Sequence, residues 1–466
     1  MEKSLKNASV RMFTFMFGII FLLNLNYTVL KSVRKTLAIA DLGGSATSIP
    51  FFELFGTMPA AVFMAWFLTK ILKKFSMRKV FFVMLFLFIS FFILFAGLYY
   101  PQLIILQKTV ATPKLLTFAS MIFYVVGELW KPCLIQILFL GLVNMNLSMD
   151  QAKSYYPSLM LGASIGAIAA GPITVFCNSK YLFNLIPLST DHWNHSLITM
   201  MSVVFLTSIL TASFYHLLCK NFARNESYSE EGKKFSLKEA LRFFLQSKPL
   251  KLMGWIVFAD YIAYSLAEVL FLEVLKLKYP LPTDYCSYMG YLSFWHSVLT
   301  IFSALFLAPI LLKKTRWVTS AIILPLGLFI SEGIFFFFLC AEEFSSALFN
   351  LSHNDWLGVL VMIGSFLFCS CRAIKYTLFD PCKELALVSL PKASRMQGKL
   401  VIDGLCSKFG KGASSAATLS FVSISGSLLG SSTITGIIAL LISLSLVVST
   451  TILGEELEQK PLPSSP

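Results

Sequence analysis

Residues 115–143 read LLTFASMIFYVVGELWKPCLIQILFLGLV, an apolar run whose only charges are Glu128 and Lys131. A run of this length can cross a hydrocarbon core, which takes about 20 residues. A charged side chain at that depth costs roughly 2.5–3.5 kcal/mol on insertion scales and persists only against a partner or a polar cavity. Glu128 and Lys131 stand three residues apart, so a local pair would lower the cost of both. A second run, GWIVFADYIAYSLAEVLFL (254–272), carries Asp260 and Glu268 in the same way. Several such residues in one chain imply a polar pathway through a membrane.

Working outward, the same apolar texture fills the chain. Of its 466 residues 56% are hydrophobic and 13% are charged, against about 25% charged in soluble domains. Twelve spans are expected, near 10–30, 49–72, 80–100, 116–145, 157–177, 197–219, 251–272, 284–312, 317–340, 355–382, 404–429 and 433–453. The fold class is therefore all-α: a polytopic membrane protein of about twelve helices, in two six-helix halves arranged as in major facilitator transporters. The expected domains are an N-terminal half (1–219), a cytoplasmic linker (220–250), a C-terminal half (251–453) and a disordered tail (454–466). Within the linker, SLKEALRFFLQ (236–246) has capping-box spacing from Ser236 to Glu239.

The net charge of +14 does not point to nucleic acid. Basic residues collect in alternate loops (Lys70, Lys73, Lys74, Arg78 and Lys79; Lys233, Lys234, Lys238, Arg242 and Lys248; Lys313, Lys314 and Arg316; Lys392, Arg395 and Lys399), while 341–355 has Glu342, Glu343 and Asp355 without a cation. This positive-inside bias places both termini in the cytoplasm. The nine cysteines include no CxxC, and the five histidines have no metal-binding spacing, so neither a metal nor another cofactor is expected. The first apolar run is too long for a signal-peptide core and is expected to be the first span.

Three cations, Lys31, Arg34 and Lys35, follow the expected first span at i, i+3 and i+4 and share one helical face. In an external loop such a face is unfavoured by the charge bias, which suits an anionic ligand better than topology. Asp260, Tyr264 and Glu268 likewise share a face, where the carboxylates could hold a cation or carry a proton. The richest cluster is CRAIKYTLFDPCKELALVSLPKASRMQGK (371–399), in which Arg372 and Lys375 can grip a phosphate and Asp380-Pro381 is expected to break the helix before Lys383. GLCSKFGKG (404–412) imitates a phosphate loop, but its glycine spacing is one residue too long and Gly412 replaces the required Ser or Thr. It is not an ATPase motif. The basic inventory suits a multiply charged anion: a nucleoside di- or triphosphate with its base stacked on aromatic rings, a sugar phosphate, or another organic anion.

Several segments resemble the nucleotide transporter family, the ATP/ADP translocases of obligate intracellular bacteria and plastids. They are VLKSVRKTLAIADLGGSATSIPFFELFGTMPAA (29–61), FYVVGELWKPCLIQILFLGLVN (123–144), DQAKSYYPSLMLGA (150–163), SLAEVLFLEVLKLKYPLPTDYCSYMGYLSFW (265–295), KYTLFDPCKELALVSLP (375–391) and KLVIDGLCSKFGKGASS (399–415). The resemblance implies a major-facilitator-like secondary carrier that exchanges ATP for ADP plus phosphate, or imports nucleotides with protons. It places the family's functional charges on Arg34, Glu128, Glu268 and Lys411, with Lys276, Lys375 and Lys383 at further basic positions. The expected substrate-binding set is thus Lys31, Arg34, Lys35, Glu128, Lys131, Glu268, Lys276, Arg372, Lys375, Lys383 and Lys411, and the coupling set is Asp260, Glu128 and Glu268. Arg34 stands where the family typically has Lys, Leu272 and Glu53 stand where it often has Lys, and Ser164 and Ser265 replace Asn. These departures point toward a paralogue taking other nucleotides or NAD as the alternative to strict ATP/ADP exchange. The implied location is a bacterial inner membrane, since the N-terminus is too short for a plastid transit extension.

Other classes fit less well. A membrane-embedded transferase would need an acidic metal motif or a catalytic His motif, and neither occurs. A channel would repeat its charges as a ring, whereas here they are dispersed over several spans.

Overall fold

The computed structural model describes residues 2–41, 44–109, 113–146, 149–221, 242, 244–340, 352–388 and 398–459. Among them eleven helices are long and apolar enough to cross a membrane. In chain order these are α1 (Val10–Ile39), α2 (Ser48–Leu72), α3 (Met77–Ile105), α4 (Thr117–Asn144), α5 (Tyr155–Cys177), α6 (His192–Lys220), α7 (Lys248–Lys278), α8 (Pro282–Lys314), α9 (Trp317–Cys340), α10 (His353–Leu387) and α12 (Ser432–Leu457). The remaining expected span, 404–429, is α11, the shorter, Gly- and Ser-rich helix Ser407–Ser425, entered through a π-helical turn at Leu400–Cys406. Of the expected linker helix at 236–246, residues 236–241 and 243, Ser236 and Glu239 among them, fall outside the described residues. So do Lys233, Lys234, Lys238, Glu342, Glu343, Lys392 and Arg395.

The chain forms two compact units: Met1–Ser45, Phe55–Glu231 and Tyr279–Val298 in the first, Ala46–Leu54, Gly232–Lys278 and Leu299–Pro466 in the second. In the first unit α1 is the hub, packed on α5, α6 and α4. The approach to α5 is close because Gly166 has no side chain: a Cβ there would stand 2.2 Å from the Phe21 carbonyl oxygen. The α4 indole of Trp130 donates to the carbonyl of Leu23 on α1 (3.2 Å). At one end Asp41 accepts from Tyr100 Oη (2.7 Å) and Trp193 Nε1 (3.0 Å), tying the end of α1 to α3 and α6. In the second unit α7 is the hub, packed on α12, α11 and α10. Gly410 of α11 lies against the Phe258 carbonyl, where a Cβ would stand 2.6 Å from the oxygen.

Three local expectations change. First, α1 runs to Ile39, well past residue 30, so Lys31, Arg34 and Lys35 lie within the span and not after it. The reason is packing: Val29, Val33 and Leu37 recur every fourth residue and are all buried, so the helix continues and carries the cations with it. Second, Asp380-Pro381 does not break α10. The carbonyl that Pro381 would crowd belongs to Thr377, four residues back, which lies in the π-helical turn Lys375–Phe379. Widening that turn lets the helix resume at Asp380. Third, the final helix extends to Gln459. Glu456 pairs with Lys248, and Leu457 packs on the core of the second unit, so order persists past residue 454. Residues 460–466 lie outside the described set.

Candidate functional site

In the first unit the charges converge on Arg34. It is 3% exposed and forms an ion pair with Glu128 of α4. Its guanidinium carbon stands 5.5 Å from the Tyr27 ring centroid and 5.2 Å from that of Tyr124, within cation–π range. The ammonium of Lys131 also lies near this cluster, 5.4 Å from the Tyr27 centroid. Gly127 makes room, since a Cβ there would stand 3.3 Å from Arg34 Cδ. Among the described residues Nε and Nη1 of Arg34 have no hydrogen-bond partner. A buried guanidinium with two unused donors is an incomplete site, because such donors ordinarily find acceptors. Lys31 and Lys35 share α1 with Arg34. Lys35 is buried, and Lys31 is half-buried.

In the second unit the face of α7 predicted from Asp260, Tyr264 and Glu268 meets α10 turn by turn. Asp260 pairs with Lys375, whose ammonium also lies 3.9 Å from the Tyr261 ring centroid. One turn on, Arg372 stacks on Tyr264 at 4.2 Å. Arg372 Nη2 stands 3.6 Å from Glu268 Oε2, and its Nη1 donates to Tyr376 Oη (3.0 Å). Lys383 is held by Asp403 (2.5 Å) and Asp380 (3.5 Å). Asp260, Tyr261, Lys375, Asp380, Lys383 and Asp403 line a cavity of about 170 Å³, whose wall Val257, Phe379 and Ser407 complete. Lys411 of α11 pairs with Glu53 (2.6 Å). Lys276 lies apart from the ladder, in the last turn of α7, eight residues or about 12 Å along the axis from Glu268.

The expected residues therefore gather as Arg34–Glu128–Lys131 in one unit and Asp260–Lys375 with Glu268–Arg372 in the other, with Lys383 and Lys411 in separate pairs. Sequence reasoning passed over Tyr27, Tyr124, Tyr261, Tyr376 and Asp403. Tyr27 stands seven residues before Arg34 and Tyr124 four before Glu128, so helical spacing alone marks both as neighbours. It also passed over Glu332, the only charged residue in α9, although the rule that drew attention to Glu128 applies to it equally.

The family model of the TLC ATP/ADP transporter matches residues 4–457. The chain belongs to this family. Among its curated relatives is ADP,ATP carrier protein 1 of Chlamydia trachomatis, 26% identical over 438 residues, covering 89% of this chain and 82% of the relative. The chloroplastic ADP,ATP carrier protein 1 of Arabidopsis thaliana is 29% identical over 440 residues, 91% of this chain and 70% of its own. ADP,ATP carrier protein 4 of Rickettsia felis is 26% identical over 422 residues, 86% of this chain and 81% of its own. The fold resembles a bacterial homologue of the iron transporter ferroportin in an inward-facing state (TM-score 0.66, 13% identity, 96% of this chain and 99% of that one). It also resembles a nucleoside transporter (TM-score 0.62, 13% identity, 95% and 99%). This TLC family member is thus a multi-pass, all-helical membrane protein with a major-facilitator-like fold, built as a transporter and not as an ATPase.

Proposed function

We propose that this chain is a nucleotide carrier that exchanges ATP for ADP across a bacterial inner membrane by alternating access. Its two six-helix halves are joined by the cytoplasmic segment 220–250, and both termini are cytoplasmic. The observation that carries this reading is Arg34, buried between two tyrosines with two donors unused among the described residues. A phosphate oxygen satisfies such donors in the plane of the guanidinium, half-buried Tyr27 offers a ring to a base or ribose, and fully buried Tyr124 packs against the guanidinium. Lys31, Lys35 and Lys131 add charge beside it. In the second unit Arg372, Lys375, Lys383, Lys276 and Lys411 are the cations proposed to bind phosphate. Glu128, Glu268 and Asp260 act as counter-ions that hold these cations until phosphate replaces them. The names of the curated relatives support the substrate class.

The test is uptake of labelled ATP by intact bacterial cells expressing the protein, followed by a chase with unlabelled ADP, GTP, CTP, UTP or NAD. Saturable uptake released by ADP supports exchange. Absence of ATP uptake with the protein shown in the membrane overturns it.

A second reading, proton-coupled import of a wider nucleotide set or NAD, is favoured by one feature of the second unit. Its cavity gathers three carboxylates, Asp260, Asp380 and Asp403, around only two lysines. An excess carboxylate in a confined site is a place where a proton can bind. Uptake that follows an imposed pH gradient, and needs no counter-nucleotide, decides for this reading.

A further inference from the structure

The cavity of the second unit has a wall that a regular helix would not build. Lys375 and Lys383 both line it, eight residues apart on α10. At about 3.6 residues per turn, eight residues carry a side chain roughly 80° past two full turns, whereas seven carry it to within about 20° of them. The π-helical turn Lys375–Phe379 makes the difference. The N–H of Asp380 bonds the carbonyl of Lys375, five residues back, so the turn absorbs one extra residue. Lys375 and Lys383 thereby come to one face, about 10 Å apart along the axis, and each meets its own carboxylate, Asp260 and Asp403.

α8 has the same device. Its π-helical turn Ser303–Leu307 is closed by the N–H of Ala308 on the carbonyl of Ser303. A proline follows each turn after one residue, Pro309 after Ala308 and Pro381 after Asp380. The two turns touch through a buried hydrogen bond, with Ser303 Oγ and Thr377 Oγ1 2.6 Å apart. Its direction follows from the proton count. The Thr377 hydroxyl donates its single proton to the carbonyl of Ala373 (2.8 Å), so Ser303 donates and Thr377 accepts. A hydroxyl bonded to the carbonyl four residues back competes with the backbone for that acceptor and bends helices. Here it sits at the centre of the widened turn, and α8 holds it there.

We infer that Ser303 and Thr377 are positioning residues: their hydroxyl pair keeps the α10 turn open, and the open turn sets Lys383 beside Lys375 as a two-lysine site for consecutive phosphates of a nucleotide. This deepens the nucleotide reading and rests on it for the ligand, while the register is a property of the free protein. A turn that closes to regular α-helix rotates Lys383 by about 100° away from Lys375 and Asp403. A single phosphate is served by one of these lysines, and a chain of two or three engages both. The turn therefore governs preference for phosphate number more than affinity for the base.

The experiment uses the purified full-length protein and competition of unlabelled AMP, ADP and ATP against labelled ATP. Thr377→Val, which keeps the branched shape and loses the hydroxyl, should weaken ADP and ATP about tenfold and AMP by less than about threefold. Ser303→Ala should do the same, and Thr377→Ser, which keeps the hydroxyl, should bind as the wild type does. A second readout needs no nucleotide. The coupling between Lys383→Met and Asp403→Asn, taken from unfolding midpoints in a double-mutant cycle, should be present in the wild-type background and lost in Thr377→Val. If Thr377→Val does not fold, the cycle is run in Ser303→Ala. Unchanged competition by ADP and ATP in both hydroxyl-free variants, an equal loss for AMP, or failure of Thr377→Ser to restore binding overturns the positioning role. Coupling that persists undiminished without the hydroxyl overturns the register argument. Failure of the wild type to bind any of the three nucleotides sinks the nucleotide reading instead, and the cycle still decides whether the hydroxyl pair sets the register.

Discussion

The two units solve the same problem with opposite polarity. In the first, the cation is on the opening helix and the anion on the fourth, Arg34 on α1 against Glu128 on α4. In the second, the anion is on the opening helix and the cation on the fourth, Glu268 on α7 against Arg372 on α10. Tyrosines attend both cations: Tyr27 and Tyr124 flank Arg34, and Tyr264 and Tyr376 contact Arg372. A π-helical turn begins three residues after the charge in each case, at Lys131 after Glu128 and at Lys375 after Arg372. The difference lies in closure. The Arg34 side chain is 4% exposed and in direct contact with its carboxylate, whereas Arg372 is 31% exposed and stands 3.6 Å from Glu268. One unit holds a single sealed pair, and the other sets a comparably buried pair, Asp260–Lys375, one turn from the looser Arg372–Glu268. Sealed charges are worth more and cost more to break, so the units should respond unequally to the same substitution.

The largest effect is expected at Arg34. Arg34→Ala removes the donors proposed for phosphate. It should lower kcat/KM for ATP by roughly 30- to 4,000-fold, the range for truncating one partner of a buried charged contact. The loss should be steeper for ATP than for ADP and smallest for a nucleoside. Uniform loss across that series would remove Arg34 from phosphate recognition. Arg34→Ala paired with Glu128→Ala should recover thermal stability without recovering transport, which separates the folding role of the pair from the binding role.

Next comes Asp260→Asn, which leaves the Lys375 ammonium without its carboxylate among groups that are almost wholly buried. Removing one partner of such a pair destabilises by about 3 kcal/mol, read as a lowered unfolding midpoint. Lys375→Met in the same background should return most of it. No recovery in the double variant would mean that the pair does not act as a unit.

The spans were legible because a membrane imposes a simple rule: every backbone group must be satisfied along the helix, so apolar runs and helices coincide. Pairings between helices were not. Glu128 pairs with Arg34, 94 positions away, a contact that nothing in its own apolar run announces. Nothing in a single sequence says which helices touch. The reading of Lys31, Arg34 and Lys35 as lying beyond the first span erred for a related reason. A cluster of charge after an apolar run suggests the end of a span, whereas buried Val33 and Leu37 carry this helix on. Asp260, Tyr264 and Glu268 fared better, since their shared face follows from helical period alone, and α10 supplies one cation for each carboxylate.

A smaller effect is expected at Arg372. It is partly exposed, already shared among Glu268, Tyr264 and Tyr376, and longer in its ion contact. Arg372→Ala should cost about 1–2 kcal/mol of ATP interaction, on the order of tenfold in KM, with little change in unfolding temperature. A loss equal to that of Arg34→Ala would erase the contrast between the units.

The smallest effect, and the only gain, is expected at Glu53. Its carboxylate holds Lys411 at 2.6 Å, with the lysine side chain 37% exposed, so the pair is screened by solvent. Lys411 is among the cations proposed to serve the polyphosphate, and while Glu53 holds it the attraction it offers is partly spent. Glu53→Gln keeps the size and hydrogen-bonding reach of the side chain but cancels the charge. Exposed pairs are worth about 0.2–1 kcal/mol, so ATP should bind about two- to fivefold more tightly, with a smaller gain for ADP. The measurement is competition by unlabelled ATP and ADP against labelled uptake, at low and at high salt. The gain should shrink as salt rises, because a half-exposed charge is what is being released. Tighter binding of both nucleotides to the same degree, or a gain indifferent to salt, would mean that Glu53 shapes the site by packing. The carboxylate would then have no part in setting how many phosphates the carrier prefers.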